Sequence, residues 1–325
     1  MSIAVVGGGA WGTALAQVIA SDGTPVRLWA REAEVVAAIN AGHRNPLFLP
    51  GVALSPEIVA TGDLATLGDA DAVLVVTPAQ HMRAVLGQLA AGGRPLILCS
   101  KGMEAGSHKL LHEVAREAVP GSPIAVLSGP TFAHEVAAGL PTAVTLATAD
   151  AALARSLAAR IARPAFRPYA STDVIGAEIG GAVKNVLAIA CGVVEGAGLG
   201  QNARAALISR GFAEMQRFAL ARGARPETLS GLSGLGDLVL TCSSANSRNF
   251  SLGKGLGEGR AAADLLADRR TVAEGAFTAP VLAAAAKAAG VDMPIADAVC
   301  ALLAGTAAAE AVIGRLLARP LTVEH

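Results

Sequence analysis

The first twenty residues most constrain the fold, because a short apolar run leads through a glycine-rich turn into an apolar helix. The run at 3–6 is typical of a strand buried on both faces, and the helix is expected over 13–20. Between them lies G-x-G-x-x-G, in which Gly7 permits a tight bend, Gly9 lets a pyrophosphate approach and Gly12 lets helix and strand pack closely. The anion would rest on unpaired amides at the helix N-terminus. The pattern therefore predicts a dinucleotide-binding unit rather than a turn without a ligand.

The rest of the chain divides into an α/β part and a helical part. Further buried strands are predicted at 26–30, 72–76, 95–99, 124–127 and 142–147, with a helix at 151–163 and a proline-rich loop over the cleft at 41–62. Beyond about residue 175 the strand signals stop, and the remaining helices are predicted at 177–195, 203–222, 261–268, 277–289 and 295–317. We therefore predict a Rossmann-type α/β domain over 1–174 and an all-helical domain over 175–325.

Composition and charge exclude several classes of protein. Apolar residues make up 53% of the chain, which argues against disorder, and the formal net charge of zero argues against a nucleic-acid partner. The chain has no uninterrupted apolar run of about 18 residues and no basic segment before its first apolar run, so we expect neither a membrane span nor a signal peptide. The four cysteines lie far apart without metal-ligand spacing, which favours free thiols in the cytoplasm and no bound metal.

The end of the second predicted strand bears on the choice of cofactor. A site selective for NADH usually carries an acidic residue there to hold the ribose 2′-hydroxyl, but this strand ends in Ala30-Arg31. An arginine can instead receive a 2′-phosphate. We therefore expect NADPH, with NADH possible because Glu32 is adjacent, and the alternative is that Arg31 is an ordinary solvated residue.

A lysine inside an apolar helix opens the second domain. Lys184 and Asn185 follow Gly180-Gly181 in a stretch that is otherwise apolar on all sides. A lysine is almost never buried unless it is paired, although it can also extend its stem along apolar surface and keep its ammonium in water. No other charged residue follows Lys184 until Glu195. This favours a lysine that faces an internal cleft, where its proton affinity can be tuned.

Several polar residues in predicted loops are candidates with ordinary alternatives. Lys101 follows a strand at the ligand side of the sheet but could be a surface lysine, and loop residue His81 could be an acid–base group or merely solvated. Asp237, alone in a glycine-rich loop over 230–242, could cap a helix or orient Lys184. Arg248 suits a phosphate, although many loop arginines bind nothing. From the residues alone, Glu274 is expected to be solvated.

Taken in order, these motifs resemble the bacterial NAD(P)-dependent glycerol-3-phosphate dehydrogenase family. The resemblance covers nearly the whole chain, and the motifs that carry it are Gly7-Gly8-Gly9-Ala10-Trp11-Gly12-Thr13-Ala14-Leu15, Ser100-Lys101-Gly102, Ser128-Gly129-Pro130-Thr131-Phe132-Ala133, Gly180-Gly181-Ala182-Val183-Lys184-Asn185, Gly234-Leu235-Gly236-Asp237-Leu238 and Ser247-Arg248-Asn249. The glycine fingerprint is common to many dehydrogenases, whereas the later motifs in this order are highly specific. The resemblance implies a 6-phosphogluconate dehydrogenase-like arrangement of the two domains.

The resemblance also implies roles for individual residues. Lys184 matches the proton-transferring lysine, and Lys101 and Asp237 would assist it. The residues that match substrate contacts are Lys101, Gly129, Thr131, Lys184, Asn185, Asp237, Ser247, Arg248 and Asn249. Those expected to contact the cofactor are Gly7, Gly9, Ala10, Trp11, Gly12, Arg31, Lys101, Ala133, Arg248, Val272 and Glu274. Ala10 departs from the family, which often has Ser there, so it can offer a pyrophosphate only its backbone amide.

The activity implied is the reversible reduction of dihydroxyacetone phosphate to sn-glycerol 3-phosphate with NADPH or NADH, which would supply glycerophospholipid synthesis. Lys184 would donate the proton and the Arg248 loop would clamp the phosphate. A homodimer formed through the helical domain is implied as well. Two alternatives are a related dehydrogenase acting on a hydroxy acid or sugar acid, which would need carboxylate selectivity, and a nicotinamide-sensing module without turnover.

Overall fold

The computed structural model describes residues 2–90, 92–267 and 273–320. The N-terminal half forms a single sheet of eight strands: β1 (Ile3–Val6), β2 (Val26–Trp29), β3 (Ile58–Thr61), β4 (Ala72–Val75), β5 (Leu96–Leu98), β6 (Ile124–Ser128), β7 (Thr142–Thr148) and β8 (Phe166–Ser171). The helices between them are α1 (Ala10–Ala20), α2 (Ala33–Gly42), α3 (Met82–Leu86), α4 (Leu111–Ala118), α5 (Ala133–Ala137) and α6 (Ala151–Ile161).

The strand order creates one crevice at the carboxyl edge of the sheet. The order is β3-β2-β1-β4-β5-β6-β7-β8, with β1 to β6 parallel, β7 antiparallel to β6, and β8 parallel to β7. The chain runs outward from β1 through β2 to β3 and then returns to β4 on the other side of β1. Ligands of open α/β sheets bind at such a reversal, beyond the carboxyl ends of the strands.

The C-terminal half is helical and is built around α7. Its helices are α7 (Val174–Gly196), α8 (Gly200–Ala221), α9 (Pro226–Leu229), α10 (Asp237–Cys242), α11 (Arg248–Gly257), α12 (Ala262–Leu265), α13 (Glu274–Ala288), α14 (Pro294–Leu303) and α15 (Ala309–Leu317). α7 packs against α8, α10, α11, α13 and α14. It is long and apolar enough to cross a bilayer, but 94% of its most apolar window is buried inside the protein, as in a core helix.

Glycines bring α7 and α11 into backbone contact. A Cβ on Gly192 would lie 2.0 Å from the carbonyl oxygen of Phe250, and a Cβ on Gly253 would lie 1.9 Å from that of Ile189. Gly196 and Gly257, each four residues further along, have equally close approaches. Because helix separation depends on the side chains at the contact, this spacing lets the two helices pack closer than larger residues would allow.

The junction between the two halves is fixed by Asp173, the residue before α7. Its Oδ1 accepts the N–H of Gly176 at 2.9 Å and caps the helix, while Oδ2 accepts the N–H of Arg225 at 2.8 Å. Asp173 therefore ties the start of α7 to the segment that leads into α9.

The predicted central strands are confirmed, whereas several predictions at the edges are wrong. The loop expected over 41–62 contains β3, and β8 was not predicted; both lie at sheet edges, where exposed residues interrupt the apolar run. The single helix expected over 295–317 is divided into α14 and α15, because Gly305 adopts a φ of 65° after the end of α14. The α1 helix begins at Ala10 rather than Thr13.

The prediction of a loop over 230–242 is also wrong, because this segment is mostly helical. Leu232–Gly236 forms a π turn, in which the N–H of Gly236 bonds to the carbonyl of Gly231 at 3.0 Å, and α10 follows directly. Arg248 and Glu274, both expected in loops, are the first residues of α11 and α13. These helices were not predicted because glycine has a low intrinsic helix propensity. Tertiary packing stabilises them in spite of it.

Candidate active site

The glycine turn over residues 7–12 has the shape of an anion cradle. Gly7 has a φ of 128°, and a Cβ there would lie 2.7 Å from the carbonyl oxygen of Val76. A Cβ on Gly12 would lie 1.8 Å from the carbonyl oxygen of Gly7, so helix and turn touch. Gly9 precedes α1, and a Cβ there would meet nothing within 4 Å, which leaves open space at the helix N-terminus. These residues fit the pyrophosphate of a dinucleotide.

Trp11 places a buried hydrogen-bond donor in the same turn. Its Nε1 is buried and has no hydrogen-bond partner in the described part of the chain. Buried indole N–H groups normally find a partner, so an acceptor on a bound molecule would satisfy it.

A buried asparagine that sequence reasoning missed supports the turn. Asn45 Nδ2 donates to the carbonyl oxygen of Gly8 and to Thr13 Oγ1, both at 2.9 Å, while its Oδ1 accepts the N–H of Phe48 at 3.1 Å. The segment after α2 is therefore fastened to the turn. No local pattern predicts this contact, because Asn45 and Gly8 are separated by 37 residues.

Arg31 lies just past the end of β2, with 75% of its side chain exposed. Its guanidinium donates to Glu32 Oε1 at 2.8 and 3.1 Å. An exposed pair between neighbouring residues contributes little, so a bound phosphate could compete with Glu32 for this arginine.

The centre of the site is a buried cluster of Lys184, Asp237 and Lys101. Lys184 Nζ donates to Asp237 Oδ1 at 2.5 Å, and Lys101 Nζ donates to Asp237 Oδ2 at 2.7 Å. The exposed side-chain fractions are 0% for Asp237, 7% for Lys184 and 15% for Lys101. Asp237 is preceded by Gly236 at the helix cap, so of the two readings of this aspartate the structure supports the one in which it faces Lys184.

Burial lowers the pKa of Lys184 to about 8, the proximity of Lys101 acts in the same direction, and Asp237 opposes both. The arrangement holds two ammonium groups on one carboxylate, which leaves one positive charge in excess. Such a lysine can lose its proton near neutral pH, and it is therefore suited to acid–base chemistry.

Thr241 is part of this cluster and was not predicted. Lys184 Nζ donates to Thr241 Oγ1 at 2.8 Å, and that hydroxyl in turn donates to the carbonyl oxygen of Asp237 at 2.7 Å. Thr241 follows Asp237 by one helical turn, and this spacing would have identified it if residues 237–242 had been recognised as helix.

The glycines before Lys184 allow other elements to approach α7. A Cβ on Gly180 would lie 2.2 Å from the carbonyl oxygen of Ser233, in the π turn before α10. A Cβ on Gly181 would lie 3.2 Å from Lys101 Cγ and 3.0 Å from Ser128 Oγ, so the Lys101 stem crosses the helix there. Lys101 Nζ also donates to the carbonyl oxygen of Gly129 at 3.0 Å, which fixes the ammonium from the sheet side.

Three buried hydroxyls near this cleft lack partners among residues 2–90, 92–267 and 273–320, and sequence reasoning assigned none of them. They are Thr77 Oγ1 beyond β4, Ser128 Oγ at the end of β6, and Ser233 Oγ in the π turn. Thr131, which was predicted, bonds from Oγ1 to the carbonyl oxygen of Gly129 at 3.3 Å. Ala133 begins α5, and His81 is exposed, in keeping with a solvated role.

A second polar group joins α7, α11 and α13. Asn249 Nδ2 donates to Asn185 Oδ1 at 3.0 Å, and Asn249 Oδ1 accepts the N–H of Gly275 at 2.9 Å. Ser247 is buried and caps α11 by accepting the N–H of Phe250 at 3.2 Å, while Arg248 is exposed at the first position of that helix.

Glu274 is a half-buried residue at the first position of α13, next to the sheet. Burial raises its pKa to about 7, against a hydrogen bond from the Ala79 amide and the charge of Arg248. A Cβ on Gly102 would lie 4.0 Å from Glu274 Oε2, so the carboxylate lies beside the loop that follows β5. Glu274 is therefore only partly exposed to solvent, whereas the residues alone indicated a solvated side chain. Val272, predicted to contact the cofactor, lies outside the described residues.

Comparison with known proteins shows the family to which the chain belongs. Two family models, for the N-terminus and C-terminus of NAD-dependent glycerol-3-phosphate dehydrogenase, match residues 2–154 and 173–314. A glycerol-3-phosphate dehydrogenase [NAD(P)+] of Sphingopyxis alaskensis is 70% identical over 98% of this chain and 97% of its own length.

Solved structures give the same result. Glycerol-3-phosphate dehydrogenase from Coxiella burnetii superposes with a TM-score of 0.93 at 39% identity, covering 98% of this chain and 99% of its own. A D-mandelate dehydrogenase bound to NADH, at 16% identity and a TM-score of 0.64 over 94% of this chain and 98% of its own, shares the fold alone. The chain belongs to the NAD-dependent glycerol-3-phosphate dehydrogenase family.

Proposed function

We propose that the protein interconverts dihydroxyacetone phosphate and sn-glycerol 3-phosphate, with NADPH or NADH as the hydride donor. The observation that carries this proposal is the buried Lys184–Asp237–Lys101 cluster at the cleft between the sheet and α7. Family membership supports it, because the two matching models together cover residues 2–154 and 173–314.

Lys184 acts as the proton donor in the direction of reduction. A bound reduced nicotinamide supplies a hydride to the ketone carbon, and negative charge develops on the carbonyl oxygen. The Lys184 ammonium donates a proton to that oxygen, a form of general acid catalysis that typically contributes about 10²–10⁴-fold. Because its pKa lies near 8, the lysine is still largely protonated at neutral pH and yet gives up its proton readily.

The other two members of the cluster position Lys184 and stabilise the charge that develops on the carbonyl oxygen. Asp237 accepts from both lysines, and together with Thr241 it fixes the direction of the one Lys184 N–H bond that remains for substrate. Lys101 keeps a positive charge beside the oxygen on which charge develops, and Asn185, the residue directly after Lys184 in α7, adds an amide. Gly129 and Thr131, at the end of β6, are the substrate contacts on the sheet side.

The substrate phosphate is held at the start of α11. Ser247 caps this ten-residue helix, and Arg248 and Asn249 are its first two residues. A helix N-terminus attracts anions, and a guanidinium binds phosphate oxygens in pairs. The exposure of Arg248 leaves it able to close over a bound phosphate.

The cofactor is held along the crevice. Gly7, Gly9, Gly12 and the amides of Ala10 and Trp11 receive the pyrophosphate, while Arg31 selects the 2′-phosphate of NADPH. The contacts implied nearer the nicotinamide are Ala133, Lys101, Arg248, Val272 and Glu274. We also propose that the enzyme works in the cytoplasm as a homodimer and supplies glycerophospholipid synthesis.

The test is NADPH consumption with dihydroxyacetone phosphate, run beside unphosphorylated dihydroxyacetone. We expect turnover of the phosphate ester alone. The matched variant is Arg248→Ala, which should raise KM for the ester strongly because it removes the guanidinium that would bind the phosphate. If neither compound reacts while NADPH binds, the proposal fails, and reaction with a hydroxy acid would identify the protein as the related kind of dehydrogenase.

A further inference from the structure

A second buried acid–base pair joins the two halves of the molecule, outside the lysine cluster. His112 Nδ1 lies 2.5 Å from Glu178 Oε2, and the backbone N–H of His112 donates to Glu178 Oε1 at 2.8 Å. The side chains are 8% and 3% exposed. Burial raises the pKa of Glu178 while His112 opposes the rise, and Glu113, itself paired with Arg222 at 3.2 Å, adds to it.

Glu178 supplies a helix cap that the α4 sequence lacks. The N-cap position of α4 is Leu110, whose side chain cannot accept a hydrogen bond, and His112 is the second helical residue. An unpaired amide at that position needs an acceptor, and a carboxylate there also suits the helix dipole. The start of α4, in the N-terminal half, therefore depends on a residue of α7.

The helix capped in this way ends the loop that begins with Lys101. Residues 101–110 fold back on themselves, with Met103 bridged to Leu110. On the outer side this loop is held by Gln80 Nε2, which donates to the carbonyl oxygen of Met103 at 2.8 Å. On the inner side the loop is held to α7 at both ends. The Lys101 stem touches α7 at Gly181, and His112, just past the last residue of the loop, touches it at Glu178.

The two contacts on α7 are one turn apart, and Lys184 follows within the next turn. Resting on the proposed function, we propose that Glu178 and His112 are positioning residues, which hold the loop over 101–110 in register with α7 and so keep the Lys101 ammonium on Asp237. A buried ion pair is a weak source of stability compared with apolar packing, and its best-attested use is to fix the register of neighbouring elements.

The test compares Glu178→Ala and Glu178→Gln with a control, Glu214→Ala. Glu214 is also a buried carboxylate that caps another helix, since it accepts the N–H of Ile295 at 2.9 Å, but both partners lie in the helical half. We expect Glu178→Ala to lower kcat by about 10- to 100-fold, with the Kd for NADPH within about twofold of wild type. Glu178→Gln should recover most of kcat, because its amide oxygen can still accept the His112 N–H.

Glu214→Ala should lower Tm and leave kcat unchanged. Equal kcat for Glu178→Ala and wild type, or an equal loss in Glu214→Ala, would overturn the proposal, because either result would make the pair merely structural. In a Lys101→Ala background, Glu178→Ala should cause less than about a twofold further loss, and a full multiplicative loss would contradict a role that acts through Lys101. If Glu178→Ala does not fold, His112→Ala tests the ring contact alone, because residue 112 keeps the backbone N–H that donates to Glu178; it should lower kcat in the same direction, and an unchanged kcat would overturn the role of His112.

Hydrogen exchange gives a reading that does not depend on turnover. Glu178→Ala should accelerate exchange of the amides over 101–118, and Glu214→Ala should not. A wild-type protein inactive on dihydroxyacetone phosphate would refute the proposed function, whereas unchanged exchange over 101–118 would refute the positioning role.

Discussion

Burial sets the acid strength of Lys184, and from this follows a pH dependence of opposite sign in the two directions of the reaction. The pKa near 8 means that the ammonium predominates below pH 8 and the neutral amine above it. Reduction needs the ammonium, so its kcat/KM should be level below pH 8 and fall above it. Oxidation needs the amine, so its kcat/KM should rise through pH 8. Profiles measured in both directions would contradict the assignment if they turned in the same sense.

Asp237→Asn provides the control for this prediction. The Asp237 carboxylate opposes the effect of burial on Lys184, so its removal should lower the pKa of the lysine further. The fall in the reduction profile should then move to lower pH, and the rate near pH 7 should drop. An unmoved profile would show that another group titrates.

Arg31 carries the prediction about cofactor choice. If its guanidinium receives the 2′-phosphate, Arg31→Ala removes charged hydrogen bonds of about 1.5–3 kcal/mol, or roughly 10- to 100-fold in the KM for NADPH. The KM for NADH should change by less than about twofold. Glu32→Ala is the matched control, because it frees the arginine from its present partner and should tighten NADPH. Equal effects of Arg31→Ala on both cofactors would remove the argument.

Individual residues could be predicted where the signal was local. The glycine turn and the lysine in an apolar helix could be identified from their local sequence. For Asp237, contact with Lys184 was one of two alternatives considered. Thr241, Asn45 and Glu178 were missed, because each acts through a partner in another element or in a helix that was not recognised. The partial burial of Glu274 could not be predicted either, since the residues that cover it follow distant strands.

At the scale of elements, the contact between α7 and α11 is the most sensitive to a single methyl group. Gly253→Ala would place a Cβ 1.9 Å from the Ile189 carbonyl oxygen, so α11 must move away. Overpacking of this kind should reduce the free energy of unfolding by about 1–3 kcal/mol, measured by denaturant titration. Gly314→Ala in α15 is the control, because its Cβ meets nothing within 4 Å and should stabilise by about 0.5–1 kcal/mol. Similar effects of both substitutions would refute the packing argument.

Elements that are apolar throughout could be predicted from sequence, and those whose stability comes from packing could not. The central strands are continuous apolar runs and were located to within a residue or two. Edge strands and the glycine-rich turn before α10 lack such runs, and they are ordered by neighbours such as Gly180 that only the tertiary structure brings near.

At the scale of the whole molecule, the two halves are joined by buried polar contacts and not only by the chain. Lys101 reaches Asp237, His112 reaches Glu178, and Asp173 caps α7 while holding the Arg225 amide. Unfolding of either half would break these charged hydrogen bonds and expose the apolar surface around them to water. We therefore expect one cooperative unfolding transition for both halves.

The chain's own tryptophans make this prediction measurable. Both of them, Trp11 and Trp29, lie in the N-terminal half, whereas most helical residues lie in the C-terminal half. Tryptophan fluorescence and far-UV circular dichroism should therefore report the same midpoint. NADPH at 100 times its Kd should raise the free energy of unfolding by about 2.7 kcal/mol whichever of the two signals is followed, although both tryptophans lie in the half that would bind it. A fluorescence transition that precedes the loss of helix, or NADPH stabilisation confined to fluorescence, would show that the halves unfold independently.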